Sequence, residues 1–190
     1  MESRSTYVGG RIGGFQGRPL RSGDVLPRGE GPCLAAKLSL PKRLIPRHPS
    51  RILLRAVPGP QEDFFDEGLV TFFDSEFKVT PNANRMGYRL QGPVIPLSQG
   101  RPKSIISEPN VPGGVQIPAD GQPIILLVEQ TVGGYAKIAT VISVDIPLVA
   151  QAKPGDRIRF QKVDLATAHA AFRKQEETFG RIAARLKRTR

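Results

Sequence analysis

SIISEPNVPGGVQIPADGQPIILLVEQTVGGYAKIATVISVD, residues 104–145, is the stretch that decides the fold. Two runs of strand-forming residues, PIILLVEQ and KIATVISVD, lie within it. Short runs of apolar and β-branched residues bounded by Gly, Pro and Asn predict β-strands. One hairpin needs only one or two special turn residues, so the many glycines, prolines and amides around Lys137 indicate loops that bind something.

Further short strand-forming runs lie on both sides of this stretch. They are RILLRAV (51–57), FKVT (77–80), YRLQG (88–92) and RIRFQKVD (157–164), and the stretch itself adds SII (104–106) and GGVQI (113–117). Many short strands with turn signals at close intervals are typical of a closed or nearly closed β-barrel. The sequence therefore predicts a mainly β protein with short helices.

Two segments have helical periodicity. In residues 61–73 the apolar residues Phe64, Phe65, Leu69, Phe72 and Phe73 recur at three- and four-residue steps, which predicts a short helix packed on the barrel. After Asp164, a plausible N-cap, an apolar stripe places Leu165, Phe172, Phe179 and Leu186 seven residues apart. This C-terminal amphipathic helix either packs its stripe on the barrel or binds a partner.

The first fifty residues have a different composition. Glycines at 9, 10, 13, 14 and 17 are too frequent for a stable helix and predict an irregular loop with short extended pieces. Three prolines within 37–49 predict a linker. We therefore expect three regions: a glycine- and proline-rich segment over 1–50, the barrel over 51–163, and a basic helix and tail over 164–190.

The net charge of +11 raises the question of nucleic-acid binding. The basic excess is concentrated in 16–55, which contains no aromatic residue that could stack bases, and in 171–190, whose two phenylalanines belong to the apolar stripe of the predicted helix. Solvated charge is the favoured interpretation, and RNA binding by the tail is the alternative. The sequence shows neither a membrane-spanning apolar run nor a secretory signal after Met1, so we expect a cytoplasmic protein. The single cysteine, Cys33, has no partner for a disulfide.

Polar side chains that could carry chemistry fall mostly between the predicted strands. They are Arg55, Gln61, Asn82, Asn84, Arg85, Arg89, Gln116, Asp120, Gln122, Thr131, Tyr135 and Lys137. His48 and His169 have no neighbouring acid, which argues against histidine catalysis or zinc, and there is no GxxxxGK[ST] nucleotide loop. Cationic side chains and exposed NH groups in glycine turns suit an anionic small substrate. The alternative is that the glycines serve only turns and the arginines only solubility.

Several of these segments carry a family resemblance. They are SRSTY (3–7), GGFQGRPLRSGDVLP (13–27), RAVPGPQEDFF (55–65), VTPNANRMGYRLQGP (79–93) and VPGGVQIPADGQPIILLVEQTVGGYAKIATVISVD (111–145). In this order they resemble the family of the 5-oxoprolinase C subunit. That family is also called the biotin-dependent carboxyltransferase or allophanate hydrolase subunit 2 type, and it includes the carboxyltransferase domain of urea carboxylase.

The resemblance implies a cyclophilin-like β-barrel that acts with the A and B subunits of 5-oxoprolinase. Together they would form an amide-bond hydrolase that opens 5-oxoproline to glutamate at the expense of ATP. In the urea carboxylase relatives, the matching domain transfers a carboxyl group from biotin to urea. A third possibility is a non-catalytic interaction module.

The resemblance also suggests which residues face the cleft. Lys137 is the predicted catalytic residue, and no metal is expected. The predicted substrate-binding residues are Arg55, Gln61, Arg85, Gln116, Gln122 and Tyr135, and the predicted loop backbone positions are Gly87, Gly113, Gly121, Gly133 and Gly134.

This sequence departs from the family pattern at three places. Met1 lies almost on the SRST motif, so the chain resembles a C-terminal portion that lacks a domain-sized stretch of roughly 130 to 150 residues. Glu108 stands where the family leads us to expect an aspartate, and PADGQP (118–123) replaces PGNGQP.

Overall fold

The computed structural model describes residues 5–27, 29, 31, 40–129 and 132–188. The chain divides into two compact units, Met1–Ser39 and Leu40–Arg190. Cys33 and residues 37–39 of the predicted linker lie outside the described residues.

The first unit contains a small antiparallel hairpin of β1 (Thr6–Tyr7) and β2 (Ile12–Gly13). Gly13 has a φ of +74°, and a Cβ there would collide with the carbonyl oxygen of Ser5, so only glycine fits. Further along, Arg18 makes a bidentate ion pair with Asp24 at 2.7 and 2.8 Å. The Arg18 guanidinium, helped by the Arg21 N–H, lowers the pKa of Asp24 to about 2. The expected glycine-rich loop with short extended pieces is what the structure shows.

Among the described residues of the second unit, nine strands follow. They are β3 (Arg51–Pro58), β4 (Glu76–Ala83), β5 (Gly87–Gln91), β6 (Glu108–Pro109), β7 (Gly114–Ile117), β8 (Ile124–Leu126), β9 (Val132–Gly133), β10 (Ala136–Val141) and β11 (Arg157–Lys162). Seven of them close into a barrel in the order β10-β3-β11-β4-β5-β8-β7. The β3–β11 pair is parallel, and the other neighbours in the barrel are antiparallel. The predicted mainly β barrel is therefore confirmed.

Apolar side chains fill the inside of the barrel. Along β3, buried Ile52, Leu54 and Ala56 alternate with more exposed residues, which is the two-residue period of a strand with one face on the core. Phe72 and Phe160 stack with ring centroids 4.2 Å apart. The interior is thus a packed core, and any site for a polar ligand lies on the outside.

The first predicted helix is interrupted. A 3₁₀ turn (Glu62–Phe64) precedes α1 (Asp66–Asp74), and Phe65 between them has non-helical backbone angles, φ −135° and ψ 45°. Phe65 and Phe72 are fully buried, as the periodicity predicted. The interruption falls at Phe65, which lies between the 3₁₀ turn and α1 and places its side chain in the core.

Three predicted strands differ from the structure. SII (104–106) is not a strand, and the pairing occurs instead at β6, which joins β9 in a separate two-stranded sheet. PIILLVEQ pairs only over Ile124–Leu126. KIATVISVD leaves the barrel after Val141 and continues as a 3₁₀ turn (Ser143–Asp145) and α2 (Ile146–Ala150). Pro147, at the start of α2, suits a helical first turn because its missing N–H is not needed there.

The last helix, α3 (Leu165–Arg188), begins where the sequence predicted. The backbone N–H of Thr167 donates to Asp164 Oδ1 at 2.8 Å, which confirms Asp164 as the N-cap. The apolar stripe of α3 does not pack fully on the barrel, which was one of the two alternatives. Leu165, Phe172 and Phe179 are 62, 47 and 55% exposed. Within the described residues, α3 meets the rest of the unit mainly at β3 and the 143–145 turn. The partner-binding alternative stays a prediction. None of the described helices has the length and apolarity needed to cross a bilayer.

Candidate functional site

A row of four side chains crosses the outer face of the barrel. The strand register pairs Arg89 of β5 with Ile124 of β8, Ile124 with Gln116 of β7, and Gln116 with Lys137 of β10. Residues directly opposite each other in neighbouring strands share one face of the sheet. The residues next to them in sequence, including Tyr88, Val115 and Ile125, are buried in the core. The row is therefore on the solvent side of the barrel.

A cavity of about 520 Å³ lies over most of this row. Its volume is within the usual range for small-molecule sites. The residues Asn82, Gly87, Arg89, Gln116, Ile124 and Leu126 belong to the barrel strands. The remaining lining residues are Asn84, Met86, Val132, Gly133 and Tyr135. The lining combines a few apolar groups with several amides and one arginine, which suits a small polar ligand.

The amide of Gln116 is fixed at the edge of this cavity. Gln116 is buried, and its Nε2 donates to Asn110 Oδ1 at 3.2 Å. A Cβ on Gly133 of β9 would lie 2.5 Å from Gln116 Nε2, so the glycine lets the backbone approach the amide. Asn110 Nδ2 is buried and has no hydrogen-bond partner among the described residues. A buried donor without an acceptor is costly, and Asn110 is not among the described residues that line the cavity.

Lys137 has a carboxylate partner. Its side chain is 6% exposed, and its Nζ donates to Glu108 of β6. Gln61 connects the pair: its Nε2 donates to Glu108 Oε1, and its Oε1 accepts from the Lys137 N–H, both at 3.0 Å. Hydrogen bonds from Lys137 and then Gln61 hold the pKa of Glu108 below its usual value, against the opposing effect of desolvation. The buried ammonium beside Gln116 is thus held in an ion pair.

Four predicted substrate-binding residues do not line the cavity and have other partners: Gln61, described above, and the three described here. Arg55 makes a bidentate pair with buried Asp145 at 2.6 and 3.0 Å, which ties β3 to the 143–145 turn. Gln122 exchanges two hydrogen bonds with the backbone of Gly92, at 2.8 and 3.2 Å, and does not line the cavity, so its expected position in one cleft with Gln116 and Lys137 stays a prediction. Arg85 pairs with Glu129 at 3.1 Å.

The predicted glycines divide in the same way. Gly87 and Gly133 line the cavity. Gly113 and Gly121 have φ of +92° and +71° and serve turns, and a Cβ on Gly113 would lie 2.7 Å from the Val141 carbonyl oxygen. The carbonyl of Gly134 accepts from Ile105 N–H at 2.7 Å, which holds the 104–107 segment. Turn chemistry therefore accounts for part of the glycine pattern.

Sequence reasoning brings Gln61, Gln116, Tyr135 and Lys137 to this region and misses two neighbours. Glu108 stands out in the sequence only as a departure from a motif, and Asn110 is not singled out at all. Both lie within the SEPNVPG segment (107–113). The carboxylate of Glu108 and the amide of Asn110 are the features of the sequence that could have indicated them as site residues. Thr131 lies outside the described residues. Across the described part of the chain, no three His, Cys, Asp or Glu side chains are grouped as metal ligands.

Comparison with known proteins gives a consistent match. A family model described as "Carboxyltransferase domain, subdomain A and B" matches residues 1–162. The chain is 38% identical over 188 residues to the C subunit of 5-oxoprolinase from Escherichia coli (strain K12), covering 98% of this chain and 59% of that protein. It is 36% identical to the protein of the same name from Haemophilus influenzae, covering 93% of this chain and 55% of that one. The chain therefore spans a little over half the length of these relatives.

Urea-related proteins match as well. A "Putative urea carboxylase" of Emericella nidulans is 29% identical over 164 residues, which is 81% of this chain and 13% of that protein. Among solved structures, the Kluyveromyces lactis urea amidolyase superposes with a TM-score of 0.79 at 27% identity, covering 93% of this chain and 12% of the other. A structure described as TTHA0988 gives a TM-score of 0.67 at 37% identity, covering 83% of this chain and 29% of the other.

Proposed function

The chain belongs to the family of carboxyltransferase domains, subdomain A and B, and from that premise we propose that it is a subunit of a 5-oxoprolinase, an amide-bond hydrolase. In this proposal it acts with homologues of the A and B subunits to convert 5-oxoproline to glutamate at the expense of ATP. Identity of 36–38% to two proteins named as the C subunit of 5-oxoprolinase, over more than nine-tenths of this chain, supports the assignment.

The observation that carries the proposal is that Gln116 lines the 520 Å³ cavity and that Lys137, which is not itself a lining residue, lies directly opposite Gln116 on the next strand. The chain's own residues would bind and orient the lactam. The Gln116 side-chain amide lines the cavity and donates one of its two Nε2 hydrogens to Asn110, so the other suits the lactam carbonyl oxygen. Donors fixed before the reaction stabilise negative charge that develops on such an oxygen, because they need no reorganisation.

Lys137 would act as a fixed positive charge at this site. Its ammonium is held by Glu108 and by the position of Gln61, so its location is set before substrate arrives. ATP is the proposed source of energy, and its chemistry would be completed with the partner subunits, because the sequence has no GxxxxGK[ST] loop.

The second candidate function is the carboxyltransferase domain of a biotin-dependent enzyme that acts on urea or a related amide. The superposition on the urea amidolyase, with a TM-score of 0.79 over 93% of this chain, favours it. Both functions need a site for a small amide beside Lys137 and differ in the substrate. A non-catalytic interaction module is the third, and it predicts that neither 5-oxoproline nor urea binds.

The test is reconstitution. The chain, extended to the length of its relatives where that is needed, is co-expressed with homologues of the A and B subunits, and glutamate release from 5-oxoproline is measured with and without ATP. We expect ATP-dependent release that is lost when Lys137 is replaced by alanine. Carboxylation of urea by a biotinylated partner, without glutamate release, would favour the second function.

A further inference from the structure

Arg89 supplies a cation on the floor of the cavity. It lies on β5 at the opposite end of the outer row from Lys137, with Ile124 and Gln116 between them. The residue is exposed and lines the cavity. Its backbone carbonyl accepts from Thr80 Oγ1, whereas its guanidinium makes no hydrogen bond or ion pair with any other described residue.

The other cations near the site already have carboxylate partners. Lys137 is paired with Glu108, and Arg85 with Glu129. The described residues that line the cavity include no Asp or Glu. An anion entering the cavity would therefore meet the guanidinium of Arg89 without having to displace a carboxylate of the protein. A guanidinium offers paired N–H donors that match the two oxygens of a carboxylate.

The spacing suits a small molecule with two different polar ends. Neighbouring strands are about 4.8 Å apart, so the Cα atoms of Arg89 and Gln116, two strands apart, are separated by about 10 Å. The arginine side chain extends over part of that distance. The amide of Gln116 is at one end of the space, and Arg89 is at the other.

We infer that Arg89 binds a carboxylate of the substrate and so makes the site selective for a small amide that also carries a carboxylate group. This inference rests on the proposed function, because it assumes that the amide of the substrate lies at the Gln116 end of the cavity. It also separates the two candidate functions. 5-Oxoproline is a lactam with a carboxylate, whereas urea is a neutral amide without one.

The experiment compares ligands that differ by the carboxylate alone. Dissociation constants of the chain for 5-oxoproline, 2-pyrrolidinone and urea are measured by ligand-observed NMR or calorimetry, for the wild type and for Arg89→Met, Arg89→Lys and Arg51→Met. Arg51 is an exposed arginine on β3, away from the cavity, so its variant removes an equal charge elsewhere. Circular dichroism checks that each variant is folded.

We expect the wild type to bind 5-oxoproline about tenfold more tightly than 2-pyrrolidinone, the order of one charge-assisted contact. Arg89→Met should reduce this ratio to about one without changing the affinity for 2-pyrrolidinone. Arg89→Lys should keep part of the preference for 5-oxoproline over 2-pyrrolidinone, and Arg51→Met should keep all of it.

The two failures are distinguishable. Equal binding of the two lactams by the wild type, or a ratio that survives in Arg89→Met, overturns the role of Arg89 but leaves an amide site in place. If Arg51→Met loses the preference for 5-oxoproline over 2-pyrrolidinone to the same extent as Arg89→Met, the role of Arg89 is also overturned, since the preference then comes from net charge. Binding of neither lactam overturns the proposed function and the inference together.

Discussion

Lys137 lies directly opposite Gln116 in the antiparallel register of β7 and β10, and its ammonium is held in an ion pair by Glu108, 29 residues earlier in the chain. The barrel fixes the first relationship, because paired positions on neighbouring strands share one face. The small β6–β9 sheet provides the second, since Glu108 is on β6 and Gly133, on β9, packs against Gln116. The candidate site is therefore formed by side chains that the strand register aligns on the barrel, together with the two-stranded β6–β9 sheet at one edge.

Replacement of Lys137 by methionine tests the catalytic assignment. Methionine keeps the apolar stem and removes the charge, so the Glu108 carboxylate loses its cation; because Glu108 is 40% exposed, water can hydrate it in the variant. We expect a modest loss in the free energy of unfolding, smaller than the loss caused by Arg55→Met, while activity in the reconstituted complex is abolished. Denaturant titration and turnover are measured on the same preparation. Unchanged turnover would remove Lys137 from the mechanism.

The Glu108–Lys137 pair predicts a pH-dependent contribution to stability. Because Lys137 and Gln61 lower the pKa of Glu108 in the folded state, the stabilisation is present above the ordinary carboxyl pKa and is lost as the pH falls through the folded pKa. Glu108→Gln should therefore be less stable than the wild type at neutral pH, and the difference should shrink as the solution becomes acidic.

Denaturant unfolding across a pH series measures that difference. Glu176→Gln, on the exposed surface of α3, is the matched control for loss of one carboxylate. A gap between Glu108→Gln and the wild type that stays constant down to strongly acidic pH would contradict the ion-pair explanation.

Arg55 is expected to matter for stability and not for ligand binding. Arg55→Met leaves the Asp145 carboxylate, 6% exposed, without its bidentate partner. Removing one member of a buried pair costs several kcal/mol, and because Arg55 is partly exposed we expect a loss of about 2 kcal/mol. Arg55→Lys keeps the charge but not the bidentate hydrogen bonding, so its loss of stability should be smaller. If Arg55→Met is as stable as the wild type but does not bind 5-oxoproline, the prediction is contradicted and Arg55 is a ligand-binding residue.

Gly133→Ala tests the close approach of β9 to the Gln116 amide. The added Cβ would lie 2.5 Å from Gln116 Nε2 and 3.0 Å from Asn110 Nδ2, so these two side chains must shift. We expect weaker binding of 5-oxoproline with the fold retained, because the displaced groups are side-chain ends at the cavity edge. Calorimetry of the variant against wild type gives the readout, and equal affinity would show that the amide position is not used.

Gly180→Ala makes an independent check on α3. Nothing lies within 4 Å of the position a Cβ would take at Gly180, and the residue is in the interior of the 24-residue helix. Alanine should stabilise this segment by about 1 kcal/mol. Higher helix content and slower amide exchange in α3 are the expected signals, and a loss of helix would mean that Gly180 has a contact outside the described residues.

The sequence predicted those features that depend on local patterns. Short apolar runs indicated the barrel strands, and the three- and four-residue steps of phenylalanine placed Phe65 and Phe72 in the core. Asp164 as a helix cap follows from side-chain chemistry that acts over three residues. These are short-range effects, so a single sequence is sufficient to show them.

Features that depend on distant partners were not predictable. Arg55 and Gln122 have the chemistry of ligand-binding residues, but Asp145 and Gly92 satisfy them in the folded chain. The strand character of KIATVISVD stops at Val141 because the chain turns where Asp145 is bound by Arg55, 90 residues earlier. The exposed stripe of α3 could not be foreseen either, because periodicity shows that a face is apolar and not what covers it.

The parallel pairing of β3 with β11 has a consequence for synthesis on the ribosome. β11 is inserted between β3 and β4, the first two strands of the barrel, yet it is the last to be translated. Until residue 162 has left the exit tunnel, the nascent sheet must keep the edges of β3 and β4 unpaired, and open edges invite association with other chains. Emergence of β11, rather than of the early strands, should therefore time the completion of the barrel and set the interval in which a chaperone is needed.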